Sequence, residues 1–338
     1  MFDNLLEEAL TQEIIPELAL QIFEESANPE NALKLFEAAS RIRDENLDQD
    51  LWWSAGISGI FPCKVTPRCG YCTYYTDSFF PIEDILQAVK EIEQMGVRQL
   101  HLSGGTCLEG YDQELIDMVE RIRNISKIDI EVNLGPSLTQ ETLKVLKNLG
   151  VISVTSSLEV CNDELFKQIK PGDSLEKRKK LMDFCEKEGM PVRSMMLVGV
   201  GETSLDRIQH LFYLRKFKRL YHVRFSRFYP YPGTACSNLP RCSPWDLART
   251  IAVARLILPQ VQLGLAAGNN SDDIPLWFLA GGGNQVLGVT ASRKLPHPNP
   301  GQVINRLSDS LYIVDKRPLI EHYVNGLGRR IVNECPDY

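Results

Sequence analysis

No stretch of the 338 residues approaches 18 uninterrupted apolar positions, about the length a helix needs to cross a bilayer. The opening residues, MFDNLLEEAL, carry no basic segment followed by an apolar one, so no secretory leader is expected and the chain is expected in the cytoplasm, off the membrane. Lysine and arginine (37) are outnumbered by aspartate and glutamate (44), for a formal net charge of −7 and a pI near 5.4. Nucleic acid and anionic membrane surfaces, which call for a basic face, are therefore not expected partners. Histidine occurs only five times, never at metal-ligand spacing, and His101 on an apolar strand is expected to be an interior residue. Internal repeats and low-complexity tracts are also missing. What remains, 43% hydrophobic and 24% charged, suits one large globular domain with extensions.

Cysteine occurs nine times, at 63, 69, 72, 107, 161, 185, 236, 242 and 335. An odd number, scattered through a chain that can build its own core, argues against a disulfide framework and for buried small side chains. One cluster differs. FPCKVTPRCGYCTYY (61–75) puts Cys63, Cys69 and Cys72 on one loop, five residues apart and then two, with no histidine nearby. Structural zinc normally takes four protein ligands, so zinc would need a fourth from elsewhere. Three thiolates on a [4Fe–4S] cluster instead leave one iron open to a substrate or cofactor, and this reading is favoured. Cys236 and Cys242 are expected to be structural.

Helical periodicity runs through residues 1–48, with Leu33, Leu35, Phe36, Ala39 and Ile42 at intervals of three and four. From Leu51 strands and helices alternate: strands are expected at 51–61, 97–105, 127–135, 151–160, 191–201 and 221–229, and helices at 81–96, 112–124, 139–150, 162–169, 174–188 and 204–217. Six βα-type units imply parallel strands with right-handed crossovers, in a barrel or a doubly wound sheet. Beyond the turn YPYPGT come a helix at 243–259, a short helix at 271–280 and a tail ending in two helical stretches. GVGETS also invites a dinucleotide reading, but Ser204 stands where a third glycine belongs and the segment comes too late in the chain.

The cysteine loop follows the first expected strand and carries Tyr71 just before its last cysteine. It resembles the cluster loop of radical S-adenosylmethionine (SAM) enzymes, with five residues rather than the usual three in the first interval. That departure resembles the HmdB proteins, associated with maturation of the [Fe]-hydrogenase cofactor and otherwise close to the biotin synthase, HydE and PylB branch. Further elements of the family follow in order. Ser103-Gly104-Gly105-Thr106 resembles the turn that receives the methionyl amino group, glycine allowing close approach to backbone. Glu159 and Arg178 resemble the acid and arginine that fix the amino group, carboxylate and ribose, and LVGVGET, with Val198 and Gly199, resembles the segment along adenine. ARTIAVARLILP, LAAG and LAGGGN resemble the C-terminal region of biotin synthase and its relatives, so the likeness spans roughly residues 5 to 290.

The resemblance implies an α/β fold: a partial (βα)6 TIM-type barrel over 49–235, an N-terminal helical extension over 1–48, and a biotin/thiamin-synthesis-associated extension over 236–338 that closes the barrel. It implies a [4Fe–4S] cluster on Cys63, Cys69 and Cys72, reductive cleavage of SAM to a 5′-deoxyadenosyl radical, a small-molecule substrate and a low-potential electron donor such as ferredoxin or flavodoxin. Biotin synthase holds a second cluster on positions that an ungapped reading places at Leu102, Glu131, Arg193 and Asn269; none is cysteine, so sulfur insertion is not expected. Nor does the tail, with Cys335 alone, supply the cysteine cluster of HydG. Asn133, Ser157, Met196, Arg227 and Tyr229 near strand ends are candidate substrate contacts, and Cys107 and Cys161 candidate hydrogen donors. Other readings are a biotin synthase-like or PylB-like enzyme on a small organic substrate, or an iron–sulfur carrier or scaffold, which would not need Glu159, Arg178 and the glycine turn.

Overall fold

The computed structural model describes residues 2–73, 79–136 and 138–333; Cys335 lies outside them. Three helices lead the chain: α1 (Phe2–Thr11), α2 (Pro16–Glu25) and α3 (Pro29–Asn46). Proline opens α2 and α3, where its missing N–H is no loss, and the Asn28 side chain caps α3 by accepting from the Glu30 N–H at 2.8 Å. Leu35, Phe36, Ala39 and Ile42 are buried as one face, while Leu33 falls on the opposite side of the helix and is exposed.

Strands and helices then alternate as expected: β1 (Leu51–Ser58), α4 (Ile82–Gln94), β2 (Gln99–Ser103), α5 (Asp112–Arg123), β3 (Asp129–Asn133), α6 (Gln140–Asn148), β4 (Val151–Thr155), α7 (Asp163–Ile169), α8 (Leu175–Glu188), β5 (Val192–Val198), α9 (Ser204–Arg215) and β6 (Leu220–Arg227). They continue as α10 (Pro244–Ile257), β7 (Gln262–Leu265), α11 (Ile274–Leu279) and β8 (Gln285–Ser292). Several strands stop earlier than their apolar runs suggest, because the last residues leave the ladder and turn into the loops at the C-terminal rim.

The tail differs from expectation. Instead of two helices it forms a hairpin, β9 (Val303–Arg306) with β10 (Tyr312–Asp315), then α12 (Arg317–Gly326) and the short β11 (Ile331–Val332). β10 pairs antiparallel with both β8 and β9, so its Tyr-Ile-Val run is extended, as β-branched and aromatic residues favour on a sheet.

Strand order is β7-β6-β5-β4-β3-β2-β1-β8-β10-β9, and the ladders from β7 through to β8 are all parallel. The core is thus a curved parallel sheet, a partial barrel in which β7 and β8 extend the six expected units. Among the described residues no ladder joins β7 to β8. Their bases are joined where the Gly283 N–H donates to Leu263 O and the Asn284 N–H to Gln262 Oε1, both at 2.8 Å.

The two-residue period of strands divides the interior. Leu100, Leu102, Ile130, Val132, Val154 and Val192 are buried apolar residues under the helices. The alternate residues, among them Gln99, His101, Glu131, Ser153, Arg193 and Arg224, turn into the barrel, which is polar and charged.

Candidate active site

The loop after β1 is pinned to the rim. Gly59 and Ile60 N–H both donate to Ser103 O (2.7 and 3.1 Å), Gly105 N–H donates to Phe61 O (2.9 Å) and Lys64 N–H to Thr106 O (2.8 Å). The Tyr111 hydroxyl donates to Pro62 O at 2.5 Å and its ring stacks on Phe61. Further along, Gly70 N–H donates to Ile169 O and Cys236 N–H to Gly70 O, each at 2.7 Å. A Cβ on Gly105 would overlap the backbone of Cys63, and one on Gly104 would lie 2.6 Å from Leu134. Their first physical role is therefore to let the cysteine loop pass against the turn. Gly172 does the same beneath Thr66 and Pro67.

None of the eight described cysteines is in a disulfide. Among the described residues no three acid, thiol or imidazole groups converge as a single-ion site. Burial pushes the Cys69 thiol up to about 12, with Lys170 pulling the other way. Its neighbours in that balance, Glu159, Asp173 and Cys72, show what surrounds it.

Glu159 stands just past β4 and is, among the described residues, the one non-glycine with positive φ, at 66°. A left-handed glutamate is strained. It is held there by its own N–H donating to Met195 O (2.7 Å) and its carbonyl accepting from Leu197 N–H (2.8 Å). Its Oε1 lies 3.3 Å from Lys170 Nζ, whereas Oε2 is buried with no partner among the described residues. Lys170 is itself buried and lies 3.1 Å from Asp173 Oδ2. Arg178, also buried, gives Nε and Nη2 to Asp173, Nη2 to Thr106 Oγ1 at 3.2 Å and Nη1 to Ser157 O at 2.7 Å. Burial alone would raise the Asp173 carboxyl, but Arg178 and then Lys170 overcome it and hold the group well below its ordinary value. Asp173 in turn raises Arg178 against the effect of burial. The structure thus gathers Cys69, Glu159, Arg178 and Thr106 around Lys170 and Asp173, two residues with no sequence signal beyond their place in IKPGDS.

The other sequence candidates divide. Tyr71 is half-buried against the core. Val198 is buried; the Gly199 and Val200 N–H groups both donate to the Glu202 carboxylate, and a Cβ on Gly199 would meet Cys242 at 2.5 Å. Cys242 therefore packs, as expected. Asn133 shares the inward face of β3 with Glu131, and Ser157 is buried with an unpartnered hydroxyl. Met196 is a correction: counting by two from the inward Arg193, Met195 faces the barrel and Met196 the helices, where it is buried. Arg227 lies off the inward face, paired with Asp273 (3.1 Å) and donating to Cys242 O (3.2 Å), and with Tyr229 lines a pocket at the rim and not the interior. Tyr229 lies exposed at the mouth beside Tyr231. Cys107 is buried near Cys63 and Tyr111, but Cys161 sits by Lys179 and Lys216 on the outer helices, away from the interior.

Of the positions compared with biotin synthase, Leu102 faces the helices, and His101 is the interior residue of β2. Its Nδ1 lies 3.4 Å from Glu131 Oε2. Glu131 pairs with Arg193, both fully buried, and Arg193 also meets His222 and donates to Gln285 Oε1 at 2.6 Å. Arg224 Nη2 lies 3.6 Å from Glu131 and donates to Gln285 at 3.2 Å. Asn269 binds the end of β6, accepting from Arg227 N–H and donating to Phe225 O. Charged residues in mid-strand on a two-residue period were the available signal for Arg224.

A pinned loop with three reduced thiols, beside a buried carboxylate with one unpartnered oxygen, fits an iron–sulfur cluster with a cationic ligand against it. The comparisons agree. The radical SAM superfamily model matches residues 66–214 and the biotin and thiamin synthesis associated domain residues 224–308. An uncharacterised protein of Methanocaldococcus jannaschii is 31% identical over 281 residues, 80% of this chain and 74% of that one. Biotin synthase of Cytophaga hutchinsonii is 26% identical over 76% of this chain and 78% of its own. Two solved structures share the fold: methylornithine synthase (PylB), TM-score 0.73, 20% identity, covering 84% of this chain and 85% of that one, and the FeFe-hydrogenase maturase HydG from Carboxydothermus hydrogenoformans, TM-score 0.73, 18% identity, covering 86% and 70%. The chain belongs to the radical SAM superfamily, as an enzyme that uses a [4Fe–4S] cluster and S-adenosylmethionine and carries the biotin- and thiamin-synthesis-associated region, which includes the last two parallel strands of its barrel.

Proposed function

We propose that Cys63, Cys69 and Cys72 hold the cluster, that Glu159, Arg178, the Gly104-Gly105-Thr106 turn and the Val198-Gly199 end of β5 surround SAM, and that the barrel takes a small molecule destined for a metal cofactor of the [Fe]-hydrogenase kind. When bound, the two cofactors supply one-electron reduction of a sulfonium and a radical able to take hydrogen from a substrate.

The chain's own residues do the rest. The hydrogen bonds that the cysteine loop's N–H groups donate to the carbonyls of Ser103, Thr106 and Ile169 fix it over the C-terminal rim, where barrel active sites lie. The unpartnered Glu159 Oε2 is a ready acceptor for an ammonium or hydroxyl, and its strained backbone keeps it pointing where no relaxed glutamate would stay. Arg178 acts chiefly as a strut: its hydrogens are committed to Asp173, Thr106 and Ser157, so it fixes the turn and β4 relative to each other. Electrons come from outside, from a low-potential carrier such as ferredoxin or flavodoxin.

The observation that carries the reading is this left-handed glutamate beside the cysteine loop, because an iron–sulfur carrier has no use for it. The metal-cofactor assignment is supported by the C-x5-C-x2-C spacing and by an interior of His101, Glu131 and Arg193 in place of thiolates for a sulfur-donating cluster. The test is anaerobic: reconstitute with iron and sulfide, add dithionite and SAM, and quantify 5′-deoxyadenosine beside a Cys72→Ala control. Cysteine-dependent product is expected; an assembled cluster that neither binds nor cleaves SAM would make the protein a carrier. For the finer assignment, deletion in a host that makes an [Fe]-hydrogenase should leave the hydrogenase without its cofactor, and full hydrogenase activity would refute it.

A further inference from the structure

Ser153, Thr155 and Ser157 occupy alternate positions along β4 and its extension, on the face that turns into the barrel. All three are buried, at 1%, 4% and 4% exposure, and none of their hydroxyls has a hydrogen-bond partner among the described residues. Ser156 between them keeps the strand extended by donating to Arg193 O at 2.8 Å, so the three hydroxyls form a column about 13 Å tall. Buried hydroxyls are normally bonded, and three orphans facing one way mark a wall built for something that bonds to them.

The lower part of this column stands in a charged layer, since Ser153 is in register with Glu131 and Thr155 with Arg193. That layer's described ionisable groups are Arg193, Arg224, Glu131, His101 and His222; Glu131 gives Oε1 to Arg193, while its Oε2 lies 3.6 Å from Arg224 and 3.4 Å from His101, so two guanidiniums share one carboxylate. Both histidines are kept neutral, by burial first and then by the two arginines. Gln99 and Gln285 seal the layer below through their mutual hydrogen bond and that of Trp52 Nε1 to Gln99. Arg224 is the guanidinium of this group that retains exposure, 11% of its side chain. A forked donor in a dry, positive environment suits an oxyanion.

We propose that the barrel interior binds a small polar acid, its carboxylate or phosphate directed to Arg224 above the Glu131–Arg193 pair and its remaining polar groups bonded by Ser153, Thr155 and Ser157. This rests on the reading that the radical chemistry takes place at the mouth above, and it names the class of molecule that chemistry would meet. A column of that height spans a compound of metabolite size, and its hydroxyls disfavour a hydrocarbon chain.

The test uses the anaerobically reconstituted protein with SAM bound. Amino acids, hydroxy acids and sugar phosphates, each beside its neutral ester or amide, are screened by thermal shift, and those that bind are titrated. Acids are expected to raise the melting temperature where their neutral counterparts do not, and Arg224→Met and Thr155→Val to weaken that binding by about tenfold or more, the loss of a charge-assisted and a neutral hydrogen bond respectively. Carboxylates and phosphates are distinguished by which half of the panel binds. Equal binding of the neutral forms, full affinity in both variants, or no acid-dependent shift anywhere in the panel would overturn the proposal. Cysteine-dependent formation of 5′-deoxyadenosine is measured separately: acid binding without it leaves this chamber standing and removes the radical reading, and the converse removes the chamber alone.

Discussion

Replacing Arg193 by methionine should destabilise the protein by an amount the geometry bounds. Arg193 and Glu131 are both fully buried, so the substitution strands a carboxylate inside the barrel. Removing one member of a buried pair costs about 3–5 kcal/mol. Arg224 at 3.6 Å, His101 at 3.4 Å and Gln285 at 3.3 Å remain around Glu131, which places the loss at the lower end, about 3 kcal/mol. An unfolding entropy of about 2.1 cal/mol/K per residue gives about 0.7 kcal/mol/K over this chain, so the melt should fall by about 4 °C. The double variant Glu131→Leu/Arg193→Met removes both members of the pair but leaves Arg224, 11% exposed, against Gln285 alone, so it should regain part of that loss. Scanning calorimetry of parent, single and double variants at one scan rate decides it. A single variant within about 1 °C of the parent, or a double variant melting below the single, would refute the argument.

Glu159→Gly and Glu159→Ala differ by one Cβ at φ 66°, so the glycine variant should be the more stable by about 1 kcal/mol, read as the higher melting temperature, while both lose SAM affinity in equilibrium dialysis. Arg178→Lys keeps a cation for Asp173 but not the fork that reaches Thr106 and Ser157; it should retain the cluster's absorption and bind SAM more weakly, and unchanged affinity would remove Arg178 from the site. Stability should also fall with acid. His101, His210 and His222 are buried and held below their ordinary value by desolvation, His210 at about 3. They stay neutral in the fold, whereas the unfolded chain takes up protons near pH 6.5. Their contribution is therefore complete above about pH 6.5 and is lost as pH falls below it, with a slope approaching 1.4 kcal/mol per pH unit for each histidine. His210→Phe should flatten the melting temperature between pH 7 and 5 relative to the parent, and an identical profile would exclude it.

The alternation of strand and helix was legible because each element repeats a simple period over enough residues. The rim was harder. Apolar runs continue past the last ladder bond, so 156–160 read as strand although they carry Ser157 and Glu159 into the site. Choosing between neighbours on one strand needs the face as well as the position: Arg227 and Met196 were candidates from their place near strand ends, and the register from Glu131 and Arg193 turns Arg224 and Met195 into the interior. Lys170 and Asp173 offered no signal, since a short turn such as KPGD has no period to say which side chain is buried. The tail misled because its β-branched residues acquire their meaning only from pairing with β8, more than ten residues away. Cysteine spacing, by contrast, is local chemistry and needed no tertiary context.

The missing ladder between β7 and β8 gives the barrel a lengthwise slit. Elsewhere a change in bore would break inter-strand hydrogen bonds in rows; here, among the described residues, no ladder stands above the two bonds that staple the base at Gly283 and Asn284, beside the side-chain bonds of Arg193 and Arg224 to Gln285. The wall has the form of a split collar, stapled at the foot and without a ladder at the lip. Leu265, Leu287 and Lys316 line the cleft along that slit. A change in bore at that edge would break no ladder, while the cysteine loop and Glu159 stand on the unbroken side.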